Sequence, residues 1–319
     1  MTTLLEIREA IRNFYTRNET WITYVWKFLL AFFALWLIGH KLGYLTALTG
    51  LPILLMASLL CTIMPPNFTV VICAGFILGH LYKLAPQYMI VALVVFLLMF
   101  LLYFRFSPRD TIAVMLTPIC VYLRIPYVMP IALGLLAGPT SVVSLSFGLI
   151  VAYLISYISG SALVLGSTDI EESAAQFQLL MTELLDNRLM WVTIAAFAVT
   201  VVVVYLLRKL PVDHSWTIAI LAGGVTQIVS LLIGDLLLST NLSILSVLLG
   251  TLLAVGMAFL IEFFVFNLDY TRIERVQFED DEYYYYVKAV PKMTVTAPDR
   301  KVKQISRSPR ERETAGDRS

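Results

Sequence analysis

Charge is scarce in this chain. Only 14% of its 319 residues are Asp, Glu, Lys or Arg, against about 25% in an ordinary soluble domain. Beside 59% hydrophobic residues and a mean hydropathy of +0.82, that deficit excludes a soluble globular enzyme, and it excludes disorder for most of the chain. A net charge of +1 leaves no basic excess to hold nucleic acid as a bulk partner. Cysteine is rare as well. Cys61, Cys73 and Cys120 each lie in an apolar run and none belongs to a CxxC, so they read as small buried hydrophobes rather than disulfides or metal ligands. His40, His80 and His214 stand apart near the ends of apolar runs, without a ligand set around them. HExxH, GxSxG and Walker A sequences are missing, and no carboxylates pair at helical spacing inside an apolar run. The expectation is a non-enzymatic protein with no metal and no cofactor.

What the chain does have is length of apolar sequence. Several runs reach about 18 residues or more, the length that crosses a hydrocarbon core. The charges sit at the two ends: residues 1–19 carry 6, residues 20–266 carry 18, and residues 267–319 carry 21. This divides the chain into an amphipathic entry segment (1–19), a transmembrane body (20–266), a Tyr-rich cytoplasmic segment (267–298) and a basic tail expected to be disordered (299–319). In the entry segment Leu4, Ile7, Ile11 and Phe14 fall near one helical face, as in a helix lying on a membrane surface. No apolar h-region precedes the first run, which is expected to serve as a signal anchor.

The runs fall at 21–39, 42–64, 68–82, 87–104, 110–123, 127–137, 141–165, 189–207, 216–238 and 243–266. Trp21, Tyr24, Trp26 and Lys27 look like interfacial anchors of the first. Gly50 and Pro52 interrupt the second, Pro65-Pro66 closes it, Arg124-Ile125-Pro126 separates two short runs, and Gly138-Pro139 ends the latter of them. Three full spans would need about 60 residues, and only 57 lie between Asp110 and Gly166, so 110–123 and 127–137 read as a broken, re-entrant hairpin. Segment 169–188 alternates acidic and apolar residues and reads as an amphipathic helix outside the hydrocarbon. The fold class expected is an all-α polytopic membrane protein of about eight crossings (range about six to ten), with broken helices and a small β-hairpin-like tail. Basic residues at the N-terminus, Arg105, Arg109, Arg208, Lys209 and the tail favour the cytoplasm, which puts both termini inside and 169–188 outside a bacterial cytoplasmic membrane. Gly75-Phe-Ile-Leu-Gly79 and Gly134-Leu-Leu-Ala-Gly138 each follow a proline break, an arrangement open to two readings: an inverted repeat, or close helix packing alone.

Three residues are candidates for substrate binding. Arg124, at the break, is either a deep cation at a re-entrant tip or a loop residue that snorkels. Asp235 lies in Leu-Leu-Ile-Gly-Asp-Leu-Leu-Leu, where a carboxylate seeks a partner, but it is also near the turn at Ser239–Asn241. Gln227, after Gly223-Gly224, either bridges helices or lines a pathway. Glu262 reads as an interfacial charge.

In the tail, Val276 and Phe278 precede an acidic turn, after which Tyr283, Tyr284, Tyr285 and Tyr286 alternate in a strand-like way. A lone hairpin is marginal in water, so Phe278 and Tyr283 to Tyr286 are candidates for docking a partner. The run Val-Gln-Phe-Glu-Asp-Asp-Glu-Tyr-Tyr-Tyr-Tyr-Val-Lys-Ala-Val-Pro-Lys resembles an uncharacterised family of multi-pass membrane proteins of anaerobic Gram-positive bacteria, sometimes labelled ABC transporter permeases. The resemblance implies a transport component. The chain carries no EAA-type coupling motif and no nucleotide-binding segment, so an ATPase would act in trans. The Gly-Pro-Thr-Ser run at 138–141 resembles, more faintly, envelope scaffolds of the MreD type and the capture subunits of vitamin transporters. Two roles follow: a permease-like transport component of unknown substrate, or a non-catalytic scaffold of the cell envelope. The bilayer is the common partner, with an ATPase or envelope proteins engaged through the tail.

Overall fold

The structure is a computed structural model, and it describes residues 2–161, 182–183, 185–265, 274–279 and 284–289. The acidic helix expected at 169–188 falls almost wholly outside these residues, as do Tyr283 and the basic tail. Two units are distinguished: a body, Tyr15–Phe266, and a smaller unit holding Met1–Phe14 and Asn267–Ser319.

Among the described residues, seven helices are long and apolar enough to cross a membrane. They are α2 (Glu19–Leu42), α5 (Pro66–Leu84), α6 (Pro86–Phe106), α9 (Ser141–Ser161), α10 (Arg188–Arg208), α11 (Ser215–Leu238) and α12 (Ile244–Val265). Four shorter helices lie between them among the described residues: α3 (Thr46–Thr49), α4 (Leu51–Ile63), α7 (Thr111–Tyr122) and α8 (Val128–Leu136). Large apolar side chains are left on the outside, with Leu236 83% and Leu252 70% exposed. That pattern is costly in water and neutral in lipid. The protein is an α-helical, polytopic membrane protein.

Prolines set the helix starts. Pro66 and Pro86 occupy the first turns of α5 and α6, where a missing N–H costs nothing. The run at 42–64 divides: α2 ends at Leu42 on Gly43 in the left-handed region (φ 59°), and α4 begins after Gly50. Gly50 and Pro52 thus separate a short connecting helix from a thirteen-residue helix that returns along α2.

Contacts fix the helix directions. The backbone N–H of Leu45, just past α2, donates to Nδ1 of His80 near the end of α5 (3.1 Å), so α2 and α5 run the same way. At the opposite end of the body, Asn67 Oδ1 at the start of α5 accepts from Tyr103 Oη at the end of α6 (2.8 Å) and from Thr111 Oγ1 of α7 (2.6 Å). Ser107 and Ser144 share a hydrogen bond (2.7 Å), placing the start of α9 at this same end. Arg208 at the end of α10 donates to the carbonyl of Ala137 (3.3 Å), and Thr217 of α11 donates to Glu262 of α12 (2.9 Å). These groups define an Asn67 end of the body, and the far end is marked by His80 and by Arg188, which donates to the carbonyl of Leu238 (3.4 Å).

The core of the first half packs α2, α5, α6, α7 and α9 around Leu35, Leu81, Tyr88, Met99 and Leu154, all under 2% exposed. In the second half α8, α10, α11 and α12 meet at Ile131, Leu135, Val204 and Ala254. The smaller unit contains α1 (Thr2–Arg17) up to Phe14, and two antiparallel strands, β1 (Glu274–Glu279) and β2 (Tyr284–Ala289). Their register pairs Val276 with Val287 and Phe278 with Tyr285.

Candidate functional site

The hairpin α7–α8 is the irregular element of the body. Helix α7 leaves the Asn67 end alongside α9, with Thr117 against Gly148. Its twelve residues span about 18 Å, well short of a bilayer core. The chain turns at 123–127, and the nine residues of α8 bring it back to the Asn67 end, where Ala137 meets Arg208. Both arms therefore begin and end on one side. The turn meets Lys41 near the end of α2 and Gln227 at the middle of α11. Here α8 buries Val128, Met129, Pro130, Ile131, Gly134 and Leu135 against α10, α11 and α12.

The turn is built by capping. The N–H of Ile125 reaches the carbonyl of Cys120 (2.9 Å) and that of Leu123 reaches Ile119 (2.9 Å). The long bond closes the six-residue segment of a Schellman motif, Cys120 to Ile125, with Arg124 at the left-handed position (φ 61°) normally held by glycine. A non-glycine residue there carries strain that its surroundings must hold. Pro126 follows and prevents continuation of the helix.

Arg124 is exposed at this tip and lines a pocket of about 170 Å³ with Lys41, Leu37, Pro118, Tyr122 and Ser156. The ammonium of Lys41 lies 5.0 Å from the centroid of the Tyr122 ring, a cation–π contact between the end of α2 and the end of α7. Three walls of this pocket, Leu37, Pro118 and Ile155, also bound a second cavity of about 70 Å³. That cavity is wholly apolar in its lining and lies among α2, α5, α6, α7 and α9, with Cys73, Phe96 and Met99 in its wall.

Compared with known proteins, the chain matches no family model, no curated protein and no solved structure.

The other candidates occupy separate positions. Gln227, fully buried in the middle of α11, donates from Nε2 to the carbonyl of Tyr127 at 3.2 Å, so it bridges α11 to the hairpin tip. Its Oε1, like Thr251 Oγ1 on α12, is buried without a hydrogen-bond partner among the described residues. Asp235 is engaged by its own loop: its carboxylate accepts from Thr240 Oγ1 (2.6 Å) and from the N–H of Leu242 (3.0 Å). It holds the α11–α12 turn, in which Ser239 and Asn241 are both left-handed. Arg124 and Gln227 therefore converge on one hairpin, and Asp235 does not line the Arg124 pocket. Of the aromatic docking candidates, Phe278, Tyr284, Tyr285 and Tyr286 lie in the two paired strands. Among the described residues no three His, Cys, Asp or Glu side chains gather closely enough to hold a metal ion.

Lys41 is the site residue that the sequence does not single out. It reads as the polar close of a span, and only the parallel course of α2 and α5, with α7 beside them, brings it to Arg124.

Proposed function

We propose that the protein is a permease-like transport component of a bacterial cytoplasmic membrane, with the α7–α8 hairpin as the element that bounds the solute path. The single observation that carries this reading is the turn at 123–127. It is a strained, non-helical segment beside Lys41 at the end of α2, tied to the centre of α11 through Gln227 and opening on a cation-lined pocket. Backbone of this kind lines cavities in transporters, where a static packing core has no use for it. In this reading α4 also crosses, short as it is, giving about eight passes and a re-entrant pair. The Asn67 end is cytoplasmic, a sidedness supported by Arg105, Arg109, Arg208 and Lys209 clustered there. Both termini then lie in the cytoplasm, where the strands β1 and β2 are free to engage an ATPase.

The test is recovery of the full chain from native membranes in mild detergent, compared with a chain lacking residues 276–292. Co-purification of an ATPase that disappears with the deletion is the expected result. Recovery of envelope-synthesis proteins instead would replace this reading with that of a scaffold. A chain recovered alone in both samples removes the partner ATPase and leaves self-contained transport.

A further inference from the structure

We propose that the pocket between Lys41 and Arg124, together with the apolar cavity beneath it, binds an anionic amphiphile: a carboxylate or phosphate head on a single hydrocarbon chain. The proposal deepens the transport reading by naming a ligand class, and rests on it only for the step from binding to passage.

The electrostatics come first. The two cations face one pocket, and among the described residues no carboxylate lies within ion-pair distance of either. The obvious internal counter-charge is the negative end of a helix. Both α2 and α7 end here, and each helix C-terminus is equivalent to roughly half a negative charge. Two such ends offset about one of the two positive charges, so the charges of the described residues leave the pocket net positive. Tyr122 and Ser156 add hydroxyls in the same wall, which donate to a carboxylate or phosphate oxygen as readily as to water.

The chain-binding half follows from continuity. The cavity of about 70 Å³ shares the walls Leu37, Pro118 and Ile155 with the cationic pocket. Its lining offers a polar head no partner, and its volume of about 70 Å³ has room for the first few methylenes of a chain. Pro118 sits at the junction. Proline inside α7 removes one backbone donor, and its ring forms part of the wall of both spaces. A free inorganic anion uses only the first space, and a neutral lipid only the second. An anionic amphiphile uses both.

The experiment uses the full chain in a non-ionic maltoside, with radiolabelled decanoate as the probe. Saturable binding is expected. Dodecyl phosphate should displace the probe at least about tenfold more effectively than inorganic phosphate or dodecyltrimethylammonium. The double variant Lys41→Gln/Arg124→Asn should weaken probe binding by about tenfold or more, with Asn chosen because it tolerates the left-handed position. Lys41→Arg/Arg124→Lys, which keeps both charges, should stay within about threefold of the native chain. Elution profile and melting temperature report whether each variant is folded, and the competition series on the native chain stands without them. Equal binding by the charge-removed variant overturns the proposal. So does equal displacement by inorganic phosphate, which removes the hydrocarbon half, or by dodecyltrimethylammonium, which removes the anionic half. Flux of the probe into proteoliposomes separates the two readings. Charge-dependent binding without flux keeps the site and discards transport by this chain alone, whereas flux indifferent to Lys41 and Arg124 discards the site and keeps transport.

Discussion

The amide nitrogen of Gln227 and the backbone carbonyl of Tyr127 lie 3.2 Å apart, although 100 residues separate them in sequence. This bond fastens the turn of the α7–α8 hairpin to the middle of a long helix. Interhelical hydrogen bonds in membranes contribute modestly, about 0.6 kcal/mol on average and rarely more than about 2. Gln227→Leu removes the donor together with the unpartnered Oε1 and preserves volume, so it should cost about 1 kcal/mol. Gln227→Ala leaves a cavity as well and should cost about 2 kcal/mol more. Denaturation by increasing SDS in mixed micelles measures both.

Val204 of α10 is lodged between two glycines. A Cβ at Gly134 of α8 would stand 2.6 Å from the Cβ of Val204, and one at Gly223 of α11 would meet its Cγ2. Gly134→Ala should therefore destabilise the body by about 1–3 kcal/mol through overpacking. Val204→Ala introduced beside it should restore part of the loss, a non-additivity expected of residues in direct contact. Melting of the two single variants and the double variant completes the cycle.

Asn67 accepts from two hydroxyls that also approach each other: Tyr103 Oη and Thr111 Oγ1 are 2.8 Å apart. Three helices, α5, α6 and α7, are joined in this way. Asn67→Ala strips the acceptor from a fully buried tyrosine and a buried threonine, and about 1–3 kcal/mol should be lost. Tyr103→Phe keeps the Thr111 bond and should cost less. The order of the two melting temperatures checks this.

Asp235 is expected to act on the loop alone. Asp235→Ala loses the bonds from Thr240 and Leu242 and should lower the melting temperature. Probe binding at the Lys41–Arg124 pocket should be unchanged. A fall in binding with the melting temperature preserved would make Asp235 part of the site.

Burial pushes the Asp110 carboxyl above its usual value of 3.8 at the junction of α6 and α7. The folded chain then holds this proton to higher pH than the unfolded chain does. Its contribution is most favourable below the unfolded value and declines as pH rises towards the folded one. Asp110→Asn should flatten the fall in melting temperature from about pH 4 upward, as read by a pH series in detergent.

The long helices were legible because apolar length is a direct reading of the bilayer, and the runs at 87–104, 189–207 and 216–238 became α6, α10 and α11 with no end shifted by more than two residues. Boundaries moved where proline opens a helix: the run at 68–82 extends back to Pro66 in α5, because its first turn needs no donor there. The break at Arg124 was visible as a charge and a proline between short runs. Its left-handed backbone was not, since Arg in place of glycine gives no signal. Gln227 admitted both a bridge and a pathway role, and only coordinates name Tyr127 as its partner. The two glycine pairs diverge in structure: Gly79 packs on Leu45 and Leu48 in the connection between α2 and α4, whereas Gly134 packs on Val204 of α10. Lys41 beside Arg124 is a product of topology, and no local pattern encodes it.

The enclosure of α8 also sets an order of events during synthesis. Its walls are α10, α11 and α12, all of which leave the ribosome later than α8 itself. A nine-residue helix cannot hold a transmembrane position alone, and its turn has no partner in lipid. The nascent hairpin must therefore wait at the translocon or at the membrane surface until these three helices arrive. Chains truncated before Ser215 should leave 128–137 open to protease, and completion of Val265 should close it.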